Sequence, residues 1–143
     1  MAKVDVSHAM PAAQGPVWAV MANPSRFPEW LTIHDRFKGD APTEIQQGTA
    51  FTEVCSIMGM TNSIDWTVTG YDAPGSLRIS GTGLAGAQIS FTMTVQPAAD
   101  GSLVQIDAEF TGQMVVGAIG AAVERAAMKE VTASLEKLAS LVA

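Results

Sequence analysis

Glu53 is the acidic residue whose place in the sequence best suits acid–base chemistry. It lies in the segment Phe51–Met58, which has the pattern of a β-strand, so alternate residues share a face. If Cys55 and the other odd-numbered residues face the interior, Glu53 does too, and a carboxylate in an apolar pocket could act as a general acid or base. If Val54 and the even-numbered residues face inward, Glu53 lies in solvent. We favour the second register, although a shift of one residue reverses every side chain of a strand.

His34 is the other candidate for acid–base chemistry, because an imidazole can shuttle protons near neutral pH. The sequence indicates no partner for it, so the alternative is a surface or helix-capping role. No metal site is predicted, since His8, His34 and Cys55 lack the i, i+3 or i, i+4 spacing of ligands on one element. Cys55, in mid-strand among apolar neighbours, is expected to be an inert, small hydrophobic residue.

The segment Gly81–Gly86 has the pattern Gly-x-Gly-x-x-Gly, which occurs where dinucleotides bind. That function needs a helix directly after the glycines, because the N-terminus of the helix holds the pyrophosphate. Here the segment Gln88–Gln96 alternates with period two and is rich in Thr and Val, which is typical of a strand. We therefore predict a glycine-rich hairpin and no cofactor.

The first part of the chain indicates one strand and two short helices. Lys3–His8 alternates polar and apolar residues, as a strand does. A helical stretch follows and ends at Ala22. Asn23 and Pro24 then suit the N-cap and the first position of a second helix, which we expect to end near residues 31–33.

Period-two segments between residues 51 and 110 predict an antiparallel sheet. Turn residues separate these segments without intervening helices, as in consecutive hairpins. The predicted strands are Phe51–Met58, Ile64–Thr69, Leu77–Ser80, Phe91–Gln96 and Val104–Phe110.

The C-terminal segment Val115–Val142 contains no proline and predicts one long amphipathic helix. Its apolar stripe runs from Ile119 through Val123 to Val142 in steps of four and three residues. Several small residues near its start allow either close contact with the sheet or room for a ligand, and both interpretations stay open. These small residues are Gly117, Ala118, Gly120, Ala121 and Ala122.

Together these elements predict an α+β fold in which a curved antiparallel sheet of six to seven strands surrounds the long helix and the two short helices close one end. Because a curved sheet cannot touch a straight helix along its whole length, we expect an internal cavity of roughly 300–1,000 Å³ for an apolar ligand. Residues predicted to face this space also suit an ordinary core, and those beside the short helices suit packing against the end of the sheet. The candidate ligand-binding residues are Trp66, Phe91, Met93 and Phe110 on strands, Ile119 and Val123 on the long helix, and Trp30 and Phe27 beside the short helices.

The composition excludes several classes of protein. The chain has 143 residues, 48% of them hydrophobic and 15% charged, which excludes disorder and fits one domain spanning residues 1–143. A single cysteine excludes a disulfide framework. The net charge of −6, with scattered basic residues, makes a nucleic-acid partner unexpected. No apolar run suits a signal peptide or a membrane span, so we expect a cytoplasmic protein.

The order of elements resembles the helix-grip fold of the START and Bet v 1-like superfamily (SRPBCC), which includes polyketide cyclase/dehydrase and lipid-carrier proteins. Val17-Trp18 followed by Asn23–Trp30 is similar to the family's Asp-Pro-x-x-Tyr/Phe-Pro-x-Trp segment. The segments Ser25–His34 and Gly59–Val68 further resemble an actinobacterial subgroup in which one member is described as the toxin of a toxin–antitoxin pair. The resemblance implies an apolar small-molecule cavity, sometimes with catalysis, and no fixed catalytic set.

Three functions follow as hypotheses. The first is binding of a small hydrophobic molecule, lipid or polyketide-like, in an internal cavity without catalysis. The second is a polyketide cyclase/dehydratase-like enzyme that uses Glu53 or His34 as acid or base. The third is a toxin that acts through a protein partner such as an antitoxin, and a homodimer is also compatible with the sequence.

Overall fold

The computed structural model describes residues 2–83, 86–112 and 117–143 of the chain. An edge strand and two short helices come first, six further strands follow, and a long helix ends the chain. The strands are β1 (Ala2–Met10), β2 (His34–Lys38), β3 (Ala50–Ile57), β4 (Met60–Asp72), β5 (Ser76–Thr82), β6 (Gln88–Ala98) and β7 (Gly101–Thr111), and the helices are α1 (Gln14–Met21), α2 (Phe27–Trp30) and α3 (Gly117–Leu141).

The seven strands of the described chain form one antiparallel sheet in the order β1-β7-β6-β5-β4-β3-β2. Strands β2 to β7 follow each other as hairpin neighbours, and β7 then pairs with β1. The predicted α+β class and the helix-grip architecture are therefore confirmed. Each predicted strand overlaps an observed one, since alternating segments bury one face in this kind of sheet.

Strand β2 was not identified from the sequence. Its pairing with β3 shifts register between His34 and Arg36, which is a β-bulge. A bulge inserts one residue and so breaks the period-two pattern. The strand also lies at an edge of the sheet, where its charged side chains Asp35 and Lys38 are exposed.

The break between the two short helices lies where the sequence predicts it. The Asn23 side chain accepts a hydrogen bond from the backbone N–H of Ser25 at 3.1 Å, as an N-cap does. Pro24 then begins a 3₁₀ turn that leads directly into α2. Phe27 and Trp30 on α2 are almost wholly buried, as expected for residues that pack the helices onto the sheet.

Helix α3 packs mainly through its C-terminal half. Near its start it also covers the edge of the sheet, because the Glu124 carboxylate accepts a hydrogen bond from the backbone N–H of Lys3 at 3.0 Å. The predicted start of the helix at Val115 lies outside the described residues. The buried residues of α3 are Gly120, Ala127, Val131, Ser134, Leu135 and Leu138.

The prediction that Ile119 faces the interior was wrong, because its side chain is 54% exposed. Ile119, Val123, Ala127, Val131 and Leu135 are spaced by four residues, and each such step turns about 40° past a full turn of an α-helix. Four steps therefore rotate Ile119 nearly to the opposite side of the helix from Leu135. Val123, one step along, is half-buried.

Gly81, the first glycine of the Gly-x-Gly-x-x-Gly pattern, has a packing role. It lies opposite Trp66 in the β4–β5 ladder, and a Cβ atom there would lie 2.5 Å from Ile64 and 2.7 Å from the Trp66 ring. Strand β6 follows the pattern, as predicted, instead of a helix. Residues 84–85, in the middle of the pattern, lie outside the described residues.

Candidate functional site

The register of β3 places Glu53 in the interior. Glu53 pairs with Ile64 of β4, and its neighbour Phe51 pairs with Trp66, so these residues share the inner face of the sheet. Glu53 is only 1% exposed. The favoured prediction that Glu53 lies in solvent was therefore wrong. Thr52 faces outward instead, where its hydroxyl donates to Asp65 at 2.8 Å.

Both carboxylate oxygens of Glu53 have hydrogen-bond partners. Oε1 accepts from the indole N–H of Trp66 at 2.9 Å and from the thiol of Cys55 at 3.1 Å. Oε2 lies 2.5 Å from Nδ1 of His34. An ionised carboxylate only accepts hydrogen bonds, so two donors on Oε1 and an Nδ1–H on Oε2 suit the charged form. The buried charge is thereby compensated within the protein.

His34 lies at the start of β2, where it pairs with Cys55 of β3. Its side chain is only 4% exposed, and the centroid of its ring lies 4.6 Å from the ring centroid of Phe37. The expectation of a surface or capping histidine was therefore wrong. The sequence did not indicate Glu53 as the partner of His34 because the two residues lie on different strands. Their contact depends on how β2 pairs with β3, which no local pattern shows.

Cys55 keeps its proton at neutral pH. Burial and the adjacent Glu53 carboxylate both raise the pKa of its thiol far above the ordinary value. A thiol in this state is a poor nucleophile, which agrees with the prediction of an inert cysteine. It is nevertheless a polar contact, because its S–H donates to Glu53.

An aromatic cluster lies beside this pair. The rings of Phe27, Phe37 and Phe51 lie 6.1–6.4 Å from one another. Trp30 packs edge-on against Phe27 at 5.9 Å. We call these four residues the aromatic cluster. Because Phe37 also contacts His34, the cluster connects Trp30 with the Glu53–His34 pair.

The indole N–H of Trp30 has no acceptor. Trp30 is 0% exposed, and its Nε1 is the one buried side-chain nitrogen or oxygen among the described residues that lacks a hydrogen-bond partner. Trp66 differs, since its indole N–H donates to Glu53. Native proteins rarely leave such a donor unpaired, so the position needs an explanation.

The strand residues predicted to face the helix do lie on the inner face. Trp66 and Phe91 are buried and stack at 5.4 Å, and Phe110, half-buried, contacts Phe91 edge-on at 6.4 Å. Met93 and Ile106 are also buried in the same core cluster. Their packing accounts for an ordinary core, and a contact with a ligand stays a prediction.

The space between the sheet and α3 is small. A cavity of about 20 Å³ lies there, enough for one water molecule and well below the predicted roughly 300–1,000 Å³. Depressions of about 440 and 410 Å³ lie elsewhere on the surface, the first on the outer face of the sheet. The small cavity is lined by Leu31, Ile33, Phe91, Met93, Ile106, Glu130, Val131 and Ser134.

A group of polar contacts next to this cavity ties the segment after α2 to α3. The Thr32 hydroxyl lies 2.6 Å from the Glu130 carboxylate, and its backbone N–H donates to Ser134 Oγ at 3.0 Å. Ser134 also donates to the backbone carbonyl of Glu130 at 2.8 Å. We did not predict these residues, although Ser134 lies three residues after Val131 and therefore on the same face of the helix.

The family described as polyketide cyclase / dehydrase and lipid transport matches residues 1–143. The protein therefore belongs to this family, as its sequence pattern indicates.

No helix in the described parts of the chain has the length and apolar character needed to span a membrane.

Similar proteins cover the whole chain. An uncharacterized protein of Mycobacterium tuberculosis is 32% identical over 141 residues, which are 99% of this chain and 99% of that protein. A second protein of the same organism, named as a toxin, is 29% identical over 143 residues and covers 100% of this chain and 99% of its own length. A crystal structure from Chromobacterium violaceum has a TM-score of 0.76 at 15% identity and covers 99% of this chain and 98% of its own, which confirms the fold.

Proposed function

We propose that this protein binds a small, largely apolar molecule between the inner face of its sheet and α3, without catalysis. The observation that carries the proposal is Glu53, a fully buried carboxylate on a mostly apolar face. A buried carboxylate with its polar partner adds little stability over apolar residues of similar volume, because both groups lose their hydration. Recognition of a polar group on a bound molecule would explain why the Glu53–His34 pair lies in the interior. The family description also agrees with a ligand-binding fold.

Room for the ligand comes from movement of α3. Within residues 117–126 only Gly120 is buried, whereas the second half of the helix buries five residues. The second half is also held by the contacts of Thr32 with Glu130 and Ser134. Segments with few buried contacts open at low free energy, so the first half of α3 is the part that moves aside. The small cavity lies under the second half, at Glu130, Val131 and Ser134, and this movement opens further space over the sheet beyond it.

Titration with N-phenyl-1-naphthylamine tests the proposal. This neutral probe fluoresces in apolar surroundings and carries one N–H that can donate to Glu53. We expect saturable binding of one probe per chain. Glu53→Gln replaces a charged acceptor with a neutral one, so binding weakens about fivefold. The exposed Glu136 provides the matched control, since Glu136→Gln leaves binding unchanged.

Two results would contradict the proposal. One is the absence of saturable probe binding to the folded protein. The other is equal binding by the wild-type protein and Glu53→Gln, because the probe would then lie away from the buried carboxylate. Native mass spectrometry of the protein purified from cells adds a direct search for a bound apolar molecule.

Acid–base catalysis is the second candidate, and the 2.5 Å contact between His34 and Glu53 favours it. A carboxylate hydrogen-bonded to one nitrogen of an imidazole fixes the orientation of the ring, so that the other nitrogen can act as a general base. Such a base would remove a proton from the carbon beside a ketone, and a solvent deuteron would replace it. We expect this activity to show as deuterium uptake by the methyl group of 2-acetylnaphthalene in D₂O, lost in His34→Gln. Uptake no faster than in buffer would exclude this activity towards the ketone.

A role as a toxin is the third candidate, and the likeness to the toxin-named Mycobacterium tuberculosis protein supports it. Large exposed apolar side chains that could meet a partner occur on the β3–β4 hairpin, where Met58 and Met60 are 51% and 65% exposed. Induced expression in a mycobacterial host tests this role. Growth arrest that disappears in Met58→Ser/Met60→Ser would support a partner at the hairpin, and normal growth would exclude toxicity in that host.

A further inference from the structure

We propose that the indole N–H of Trp30 is the donor for a carbonyl oxygen of the bound molecule, so that the ligand is a neutral, ring-containing carbonyl compound. The inference rests on the proposed ligand-binding function and names the class of ligand. It begins from the unpaired Nε1 of a fully buried residue. Leaving a buried donor without an acceptor destabilises the protein, and a ligand oxygen would recover that free energy.

The surroundings of Trp30 favour a flat molecule. Phe27 packs edge-on against Trp30 with an interplanar angle of 88°, and Phe27, Phe37 and Phe51 extend the aromatic surface as far as His34. Aromatic side chains associate well with other rings in stacked or edge-on arrangements. A ring system inserted among these residues would reach a donor at one end and the Glu53–His34 pair at the other.

The charge of the interior excludes an acidic ligand. Among the described residues, Glu53 is the charged residue that is fully buried, and no Lys or Arg is buried with it. A carboxylate would therefore enter next to a like charge, and the one imidazole nearby, that of His34, is already hydrogen-bonded to Glu53, which makes entry costly in an apolar interior. A ketone, quinone or lactone oxygen accepts a hydrogen bond without bringing a charge. Free fatty acids are accordingly not the ligand class that this site suits.

A matched set of three naphthalenes tests the inference by equilibrium dialysis. The set is 2-acetylnaphthalene, 2-ethylnaphthalene and 2-naphthoate, which differ only in the substituent. We expect Trp30→Phe to weaken binding of the ketone about three- to tenfold and to leave the hydrocarbon within about twofold, because only the ketone loses a hydrogen bond. Trp18→Phe is the control, since Trp18 contacts Tyr71 outside the aromatic cluster, and it should change neither affinity. 2-Naphthoate should bind more weakly than the ketone at pH 7.

A second measurement avoids dependence on a variant. The chain has three tryptophans, so an amide-region ¹H–¹⁵N spectrum contains three indole N–H signals. The Trp30 signal can be assigned in the wild-type protein through its contacts with Phe27. We expect 2-acetylnaphthalene to shift this signal downfield, as a new hydrogen bond does, and 2-ethylnaphthalene to leave it without a downfield shift.

The outcomes separate the two proposals. If the ketone and the hydrocarbon both bind but Trp30→Phe weakens them equally, or if 2-naphthoate binds best, the inference about Trp30 is wrong and the binding function stands. If none of the three compounds nor N-phenyl-1-naphthylamine binds, both proposals are wrong. A downfield shift with the ketone alone supports both.

Discussion

At the scale of the residue, the contacts of Glu53 explain why a charge is stable in the interior. Three donors, from Trp66, Cys55 and His34, surround its two oxygens. Each belongs to a strand that neighbours or contains Glu53, so the sheet itself orients them. A ligand that replaced one of these partners would have to supply a donor of its own, because an unpaired buried carboxylate oxygen is costly.

The thiol of Cys55 should react slowly in the folded protein. Its raised pKa and its burial both lower the concentration of reactive thiolate at pH 8. We expect iodoacetamide to label the native protein far more slowly than the protein in denaturant. Labelling of the native protein at the rate of a free thiol would contradict the buried, protonated state.

The same raised pKa gives Cys55 a defined effect on stability at alkaline pH. The unfolded chain loses the thiol proton above about pH 8.5, whereas the folded chain keeps it. The folded state then binds more protons than the unfolded state, so stability falls as the pH rises above that value. Cys55→Ser keeps a donor to Glu53 and should remove this part of the alkaline loss, as measured by urea unfolding between pH 7 and 10.

Met58 offers a residue-scale gain in stability. It has φ 56° in the tight β3–β4 turn, next to Gly59 with φ 77°. Two consecutive positive φ values are typical of a type I′ turn, in which Asn-Gly is the preferred pair. Met58 is 51% exposed, so Met58→Asn loses little packing and should stabilise the protein by about 0.5–1 kcal/mol. A lower midpoint in urea unfolding would contradict this prediction.

At the scale of the element, local patterns predicted most of the secondary structure but not every register. Alternation identified the strands, yet the inner face of β3 depends on its pairing with Ile64 and Trp66 of β4, and no local period contains that information. Strand β2 was not predicted because the bulge between His34 and Arg36 breaks its period-two pattern. On α3, Ile119 was misplaced because a spacing of four residues drifts around the helix. The polar contact between Glu53 and His34 could not be predicted because it depends on both of these registers.

Gly81 shows how one element constrains the next. A side chain at Gly81 would collide with Trp66, whose indole holds Glu53. We expect Gly81→Ala to displace the indole and to destabilise the protein by about 1–3 kcal/mol, as overpacking usually does. Gly15→Ala on α1 is the control, since a Cβ there meets no atom within 4 Å. Equal stability of both variants in thermal unfolding would contradict the tight contact.

At the scale of the whole molecule, the interior is closed, and α3 packs against it far more tightly with its second half than with its first. The sheet, α1, α2 and the second half of α3 share one core cluster, and the cavity between the sheet and α3 has room for about one water molecule. In the first half of α3, residues 117–126, Gly120 is the one residue that is fully buried, and Val123 is half-buried. The proposed binding therefore requires the interior to open, and this part of the helix is the least costly part to displace.

Hydrogen exchange measures this difference directly. We expect backbone amides of residues 121–126 to exchange faster than those of residues 131–138, because local opening of the first half exposes little apolar surface. Addition of 2-acetylnaphthalene should slow exchange in the first half as the helix closes on the ligand. Equal protection along α3, with or without the compound, would contradict opening by this helix.

The two borders of the sheet have a consequence for assembly. At the β1 edge, the backbone N–H of Lys3 donates to the Glu124 carboxylate and is not free to pair with another strand. At the β2 edge, the strand is short, bulged and charged. Features of this kind discourage the addition of foreign strands. Copies of this chain should therefore not extend one another's sheets, and a self-associated form, where one exists, would join through side chains and not through backbone ladders.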